Sequence, residues 1–194
     1  MKKTKAIIRH EVLNLLTSIN MIVGSSRMGQ NDKNRIEQLV KVIGLLISHE
    51  EVIAGGEIRF LNEKFELSDV LDLVFAINES LLKQHKLVLR MPDNDFLINA
   101  DKGVIKNFID HTLVKLCTFA SSIELLVDKA NRMLEIRYEG AESLKLEDKT
   151  LLACLEEKRN LVDELPIRLS IHLMYLNGAK VEFNKKAIRI TFPS

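Results

Sequence analysis

The chain has 194 residues, of which 46% are hydrophobic and 28% charged, and its formal net charge at pH 7 is +1. This length and balance suit one mid-sized domain, or a small module attached to a larger one. A net charge so near zero argues against binding to nucleic acid or to an anionic membrane surface. No run approaches ~18 consecutive apolar residues, the length of a membrane-spanning helix. The N-terminus also lacks the apolar core of a signal peptide, so we expect a cytoplasmic protein.

The two cysteines, Cys117 and Cys154, lie apart in apolar runs and lack the CxxC spacing of a metal or redox site. Each is expected to be a buried free thiol, which is compatible with a reducing cytoplasm. The sequence therefore predicts no metal site of the chain's own.

A helical hairpin is predicted at the start of the chain, from residue 4 to about 54. Its first helix carries apolar residues at alternating spacings of four and three, which is a heptad seam, namely Ile8, Val12, Leu15, Ile19 and Ile22. Gly24-Ser25-Ser26 ends that helix, and Asn31 or Asp32 can cap the next one. A second seam runs from Ile36 to Ile47, and Gly55-Gly56 is placed to stop it.

The apolar faces of this hairpin are too wide for two helices to bury alone. Further apolar residues widen them, namely Leu16, Val23, Val40 and Ile47. A homodimer in which two hairpins form a four-helix bundle would bury these faces. The alternative is that the hairpin packs onto the C-terminal part of its own chain.

Beyond residue 57 the pattern is mixed, and helices and strands are predicted in turn. Helices are expected from Ser68, as the cap, to Gln84, from Asp101 to about Phe119, over 148–159, and from Pro166, in the first turn, to Leu176. Strands are expected at 86–92, 95–99, 122–128, 132–140, 179–183 and 187–192. Helices covering one face of a mixed sheet make a two-layer α/β sandwich. The predicted class is α+β, with a hairpin domain at 1–56 and a sandwich domain at 57–194.

One stripe of the first helix stands apart from the seam. His10, Asn14, Thr17 and Met21 are offset by four, seven and eleven residues, which returns them to the same helical face. Glu11 flanks this stripe. His10 is therefore predicted to be exposed on a helix whose opposite face belongs to a bundle.

These residue types suit phosphoryl transfer. An ordinary imidazole has a pKa of roughly 6.5, so it is largely neutral at pH 7 and can attack phosphorus through a ring nitrogen. An adjacent carboxylate such as that of Glu11 can bind the other ring nitrogen and take up its proton. An amide one turn on, that of Asn14, can hold a water or a phosphate oxygen. Such positioning is most of what phosphoryl transfer asks of a protein. A zinc-protease motif would need histidine where Asn14 stands.

With these residues in place, the chain resembles the core of a sensor histidine kinase. The segment IIRHEVLNLLTSI resembles the family's H-box, with His10, Glu11 and Asn14 at its histidine, acidic and Asn/Thr positions. The rest is similar in layout to the GHKL-type ATPase domain. Four segments carry that likeness: FELSDVLDLV to the stretch before the domain's first strand, DKGVIKNFIDHTLVKL to the N-box helix, LNGAKVEF to the segment after the last glycine box, and AIRITFPS to the closing strand.

The ATP-binding motifs of that family are degenerate in this sequence. His111 and Lys115 stand where the N-box carries two asparagines, the second of which normally helps to hold Mg²⁺. The segments YEGAESL and DELPIRLS stand where glycine-rich boxes are expected, with one glycine and none. Glycines there let the backbone approach the nucleotide closely. The resemblance therefore predicts a domain that binds no ATP.

A phosphoacceptor hairpin joined to a degenerate ATPase domain resembles the sporulation-type and ChpT-like histidine phosphotransferases of phosphorelays. The resemblance implies a homodimer that passes phosphoryl groups between aspartates of response-regulator receiver domains through His10, without ATP. The receiver would dock near Thr17 and Met21 and bring its own Mg²⁺, so no cofactor is expected on this chain. The alternatives are a response-regulator phosphatase, a non-catalytic pseudokinase scaffold and, less favoured, an active histidine kinase.

Overall fold

The computed structural model describes residues 2–23, 29–54, 58–85, 88–90, 92, 94–140, 144 and 161–193. The chain divides into two compact units. The first, the hairpin unit, comprises Met1–Arg59 and Asp148–Arg168, and the second, the sheet unit, comprises Phe60–Glu147 and Leu169–Ser194. The structure is α+β, as predicted.

Among its described residues, the hairpin unit contains three complete helices, α1 (Lys2–Val23), α2 (Gln30–Ser48) and the short α3 (Glu50–Ile53), and the first part of a later helix. α2 begins at Gln30, so the predicted caps Asn31 and Asp32 lie inside its first turn and do not precede the helix. From there the Asp32 carboxylate accepts the backbone N–H of Gly29 at 2.9 Å, at a helix end where unpaired N–H groups favour an acid.

The heptad positions of both helices form the core of this unit. The buried members are Ile8, Leu15, Leu39, Val42, Leu46 and Leu165. Val12, Ile19, Ile22 and Ile43 pack against them, so both predicted seams contribute to the core. Leu165, which is fully buried, comes from the far end of the sequence, so a later segment of the same chain completes the hairpin core.

The sheet unit contains a two-stranded and a five-stranded sheet. Its strands are β1 (Asn62–Glu66), β2 (Val88–Arg90), β3 (Leu97–Asp101), β4 (Ala120–Asp128), β5 (Met133–Gly140), β6 (Lys180–Asn184) and β7 (Ala187–Thr191). β1 pairs with β3, and the larger sheet has the order β2-β4-β5-β7-β6, in which only β2 and β4 run parallel. Alternate residues of its central strands are buried, as in a sheet with one covered face, namely Ile123, Leu125, Leu134, Ile136, Ile188 and Ile190.

Two helices of the sheet unit are α4 (Leu67–Gln84) and α5 (Lys102–Cys117), which pack side by side, and α5 also contacts β4. Asp101 caps α5 as predicted, because its Oδ1 accepts the Val104 N–H at 3.1 Å. The predicted cap Ser68 is wrong, since α4 begins at Leu67. The Asp95 carboxylate instead accepts both the N–H and the hydroxyl of Ser68.

The last helix, α6, runs from Leu161 to Leu176, so its residues up to Arg168 belong to the hairpin unit and the rest to the sheet unit. The prediction that Pro166 lies in its first turn is wrong, because Pro166 is the sixth residue. At that position proline removes one backbone hydrogen bond of the helix. Gly178 follows the helix with a positive φ of 83°, the left-handed conformation that ends many helices.

Some predictions fall on other parts of the chain. The turn at Gly24-Ser25-Ser26, the stop at Gly55-Gly56 and the helix at 148–159 lie outside the described residues.

Among the described helices, the stretch Thr4–Val23 has the length and composition of a membrane span, although no uninterrupted apolar run indicates one. Core helices of soluble proteins meet the same criterion, and this stretch supplies Ile8 and Leu15 to the hairpin core.

Candidate functional site

The predicted stripe of α1 faces away from the hairpin core. The side chain of His10 is 63% exposed, and Thr17 and Met21 are exposed as well. Asn14 is half-buried. The helix places His10 at the surface because Ile8 and Leu15, on the opposite face, are held in the core.

His10, Glu11 and Asn14 form a compact cluster. His10 Nδ1 lies 3.4 Å from Glu11 Oε1 and 3.1 Å from Asn14 Nδ2. Asn14 Nδ2 also donates to Glu11 Oε1 at 3.3 Å. The contacts described for the His10 ring therefore involve Nδ1, while Nε2 is on the other side of the ring.

Glu11 is the buried member of this cluster, with only 5% of its surface exposed. A carboxylate removed from water requires hydrogen-bond donors, and Asn14 supplies one. Burial also restricts the movement of the Glu11 side chain. The ring of His10 is consequently held from beneath by a fixed acceptor and remains open above.

Thr17 and Met21 are not part of this cluster. The Thr17 hydroxyl donates to the Leu13 carbonyl of its own helix at 2.8 Å, and the Ser18 hydroxyl donates to the Asn14 carbonyl at 3.0 Å. Thr17 lies about 10 Å along the helix axis from His10, at roughly 1.5 Å per residue. Thr17 and Met21 are therefore exposed neighbours on the same helix that do not contact the His10 ring in the described structure.

A shallow apolar groove of about 300 Å³ lies beside the cluster. Its lining residues are Ile8, Arg9, Val12, Leu13, Ile47 and Glu50. At its rim Arg9 Nε is 3.7 Å from Glu50 Oε1, a buried oxygen with no hydrogen bond. Sequence reasoning missed both residues, because Glu50 reads as part of a solvated acidic pair and only the pairing of α1 with α3 brings Arg9 to it.

In the sheet unit, the helix that resembles the N-box is joined to α6 by a side-chain contact. His111 Nδ1, on α5, is 2.6 Å from the hydroxyl of Ser170, which is only 2% exposed. The neighbouring Asp110 accepts a hydrogen bond from Asn78 of α4. The polar groups on this side of α5 thus bind other helices of the same unit.

The single glycine of YEGAESL has a steric reason of its own. A Cβ at Gly140 would stand 2.5 Å from the carbonyl oxygen of Phe119. The Gly140 carbonyl accepts the Lys186 ammonium, which also lies 5.7 Å from the centre of the Tyr138 ring. The close approach of β5 to the backbone of Phe119 and Ala120, where β4 begins, is enough to require glycine here.

No group of three or more His, Cys, Asp or Glu side chains that could hold a metal ion occurs in the described part of the chain. Cys117 is a free, buried thiol, as predicted, and burial raises its pKa. A thiol held in its neutral form is a poor metal ligand and a poor nucleophile.

Comparison with known proteins finds similarity in structure only: no family model and no curated protein matches the sequence. The Acinetobacter baumannii histidine kinase AdeS matches with a TM-score of 0.69 at 13% identity, over 94% of this chain and 96% of that one. The histidine kinase ThkA, in complex with the response regulator TrrA, matches with a TM-score of 0.60 at 15% identity, over 98% and 60%. The cytoplasmic segment of the histidine kinase QseC gives 0.55 at 10%, over 77% and 91%. At these identities the likeness establishes a histidine-kinase-like fold.

Proposed function

We propose that this chain is a phosphorelay histidine phosphotransferase, which passes phosphoryl groups between aspartates of response-regulator receiver domains through His10 and uses no ATP. The observation that carries the proposal is the exposed ring of His10, held at Nδ1 by Glu11 and Asn14. In this proposal Nε2 is the reacting nitrogen, because the described contacts of the ring are made by Nδ1. The hairpin, 1–56, is then the phosphotransfer domain and 57–194 a degenerate ATPase-like domain.

The transfer step needs a neutral ring with its lone pair on Nε2. That nitrogen attacks the phosphorus of an aspartyl phosphate in line, the P–O bond breaks, and the aspartate leaves as a carboxylate. The ring becomes positively charged, and its Nδ1 proton is then bound by, or passed to, the buried carboxylate of Glu11. The reverse sequence delivers the phosphoryl group to a second receiver.

Two contacts in the sheet unit support the proposal that this chain uses no ATP. Both involve residues in segments where the family's nucleotide-binding motifs are degenerate. His111 is engaged by Ser170, and the carbonyl of Gly140 by Lys186. These two polar groups are therefore already engaged within the chain. Lys115 also stands where the related motif has a Mg²⁺-binding asparagine, and an ammonium group repels a divalent cation.

A receiver domain is the proposed partner, because its aspartyl phosphate and bound Mg²⁺ are what an exposed histidine without a nucleotide requires. Thr17 and Met21 are proposed to contact it, since both are exposed on the face of α1 that carries His10. That a similar fold, ThkA, forms a complex with a response regulator is consistent with this choice. Because the receiver brings both the phosphoryl group and Mg²⁺, the proposed reaction in the cytoplasm requires no cofactor on this chain.

A homodimer is the proposed assembly. Both helices of the hairpin leave apolar side chains exposed along their lengths, namely Leu13, Leu16, Val23, Val40 and Ile47. A second copy presents the same two stripes, so one two-fold contact would cover both. Burying such stripes is the main driving force of helical bundles.

A second candidate function is dephosphorylation of a receiver, and the position of Asn14 favours it over the remaining alternatives. Its amide is half-exposed within 3.1 Å of His10, where it could orient a water toward an aspartyl phosphate. In that case Asn14→Ala would slow phosphate release from the receiver, and His10 would carry no stable phosphoryl group.

The test is transfer from a receiver labelled at its phosphoryl group. The expected product is an acid-labile, base-stable label on this chain, which His10→Ala abolishes. His85→Ala is the matched control, because His85 is exposed but lies in the other unit. Label that persists on His10→Ala would contradict the assignment, and loss of receiver label as free phosphate would favour the phosphatase.

A further inference from the structure

One methionine lies exposed on the face of α1 that carries His10. Met21 is 72% exposed, whereas Met174 is fully buried and Met133 is half-buried. Among the methionines that the structure describes, Met21 is therefore the one that solvent reaches most readily. A thioether exposed in this way meets oxidants that a buried one does not.

Met21 also lies apart from the apolar stripe that the proposed dimer would cover. Each residue of an α-helix turns the side-chain direction by ~100°, so Met21 projects within about 20° of His10. Leu13, Leu16 and Val23, which are exposed apolar residues of the same helix, project at least about 80° away from Met21 by the same count. A dimer built on that stripe therefore leaves Met21 on the open side of α1, with His10.

The residue type suits a surface that binds more than one partner. Methionine has a flexible, polarisable side chain that adapts to differently shaped surfaces. The proposed relay needs such a surface, because two receivers would dock beside His10 in turn. Met21 lies about 16 Å along the helix axis from His10, at roughly 1.5 Å per residue, so it can contact a docked receiver without touching the reacting ring.

We propose that Met21 is a site of reversible oxidation by hydrogen peroxide, and that its oxidation weakens the docking of a receiver. The Met21 sulfur attacks one oxygen of the peroxide, so an S–O bond forms and the O–O bond breaks. The departing hydroxide takes the proton of the new S–OH group and leaves as water. The sulfur is oxidised by two electrons and the peroxide is reduced. Thiol-dependent methionine sulfoxide reductases reverse the change.

The sulfoxide alters this surface because the two hydroxyls one turn before Met21 are already engaged. The Thr17 hydroxyl donates to the Leu13 carbonyl, and the Ser18 hydroxyl donates to the Asn14 carbonyl. Neither is a donor for the new oxygen, so water solvates it. A docking receiver would have to remove that water, which costs free energy. This effect on docking rests on the proposed function, whereas the oxidation of Met21 does not.

Selective oxidation is measured by peptide mass spectrometry after graded treatment with hydrogen peroxide. We expect Met21 to gain one oxygen at least about tenfold faster than Met174 in the folded chain. Unfolding the chain before treatment should remove this difference, because the difference is caused by burial. Equal rates for the two methionines in the folded chain would overturn the assignment.

The effect on docking is measured as transfer from a labelled receiver domain at increasing receiver concentration. Peroxide should raise the KM for the receiver about fivefold or more and leave kcat unchanged, because Met21 is remote from the ring of His10. Met21→Gln, which is polar and of similar length, should raise the KM without peroxide. In Met21→Leu, which has no sulfur, the KM should be the same before and after peroxide. Met133→Leu is the matched control and should keep the response of the unaltered chain.

Transfer that peroxide leaves unchanged in the unaltered chain, or slows equally in Met21→Leu, would overturn the inference. Calorimetric titration of the same samples with the receiver separates this inference from the proposed function, because binding needs no phosphoryl group. A receiver whose affinity falls on peroxide treatment but which leaves no label on His10 would contradict the proposed function and leave the inference standing. Label on His10 together with an affinity that peroxide does not change would do the reverse.

Discussion

His10 and His111 both lie on helices and both contact a neighbouring polar side chain, yet their surroundings differ. His10, in the hairpin unit, keeps a ring that is 63% exposed and is contacted on one side only. His111, in the sheet unit, is half-buried and bound to Ser170, which is almost completely enclosed. An imidazole that must meet a partner protein has to be open, so the comparison is consistent with the proposal that His10, in the hairpin, is the reacting residue. In the sheet unit, the contact of His111 with Ser170 instead joins two helices of that unit.

The stability of the sheet unit should be the more sensitive to added side-chain volume. At Gly140, a Cβ would stand 2.5 Å from the Phe119 carbonyl oxygen, so Gly140→Ala forces β5 away from the backbone at the start of β4. Overpacking of this kind costs about 1–3 kcal/mol. We expect the midpoint of chemical denaturation to fall accordingly while the His10 site is unchanged. The control is Gly44→Ala, since a Cβ at Gly44 meets nothing within 4 Å. Equal stability of Gly140→Ala and the unaltered chain would contradict the steric role.

In the hairpin unit, replacing an exposed apolar side chain should instead weaken the association of two copies of the chain. Ile47 is 63% exposed and lines the groove beside the cluster. Ile47→Ser removes apolar area that the proposed dimer would bury, at about 1 kcal/mol or more per subunit. We expect the dimer dissociation constant, measured by sedimentation, to rise at least about tenfold. Lys41→Gln, an exposed change on the same helix, is the control. A chain that is monomeric before any substitution would contradict the proposed dimer.

A smaller effect is expected from His172, another half-buried histidine of the sheet unit. Burial lowers its pKa, because the charged ring is poorly solvated there. The unfolded chain therefore binds a proton more readily than the folded one. The stability from this group is present above the unfolded pKa of about 6.5 and is lost as the pH falls toward the lowered folded value.

The measurement is the free energy of unfolding between about pH 7.5 and 5, where His172→Gln should show a shallower loss than the unaltered chain. His85→Gln, which changes an exposed ring, should keep the original slope. An identical slope in His172→Gln would mean that the burial of this ring has no cost for its charge.

Much of the fold follows from periodicity, and the failures have local causes. The heptads from Ile8 to Ile22 and the alternation at 122–128 and 132–140 predicted the hairpin and the β4–β5 pair, because burial of one face selects a period. The predicted start of α4 at Ser68 was wrong because Ser68 is bound by Asp95, which lies 27 residues away. No local sequence pattern indicates so distant a partner. Likewise, Leu165 completes the hairpin core from the other end of the chain.

The candidate site shows the same division. The i, i+4 spacing of His10 and Asn14 predicted their shared face, and the structure brings them within 3.1 Å of each other. The burial of Glu11 could not be foreseen from one helix, since it depends on how α1 meets its neighbours. Arg9 and Glu50 were missed for the same reason. Residue spacing therefore predicts which side chains share a face, and tertiary packing decides which of them are buried.

The most direct measurement offers this chain two phosphoryl donors in parallel, labelled ATP with Mg²⁺ and a labelled receiver domain. We expect label on His10 from the receiver, none from ATP, and none from either donor on His10→Ala. A label on His10 that comes from ATP, or a receiver that labels His10→Ala as well as the unaltered chain, would contradict it.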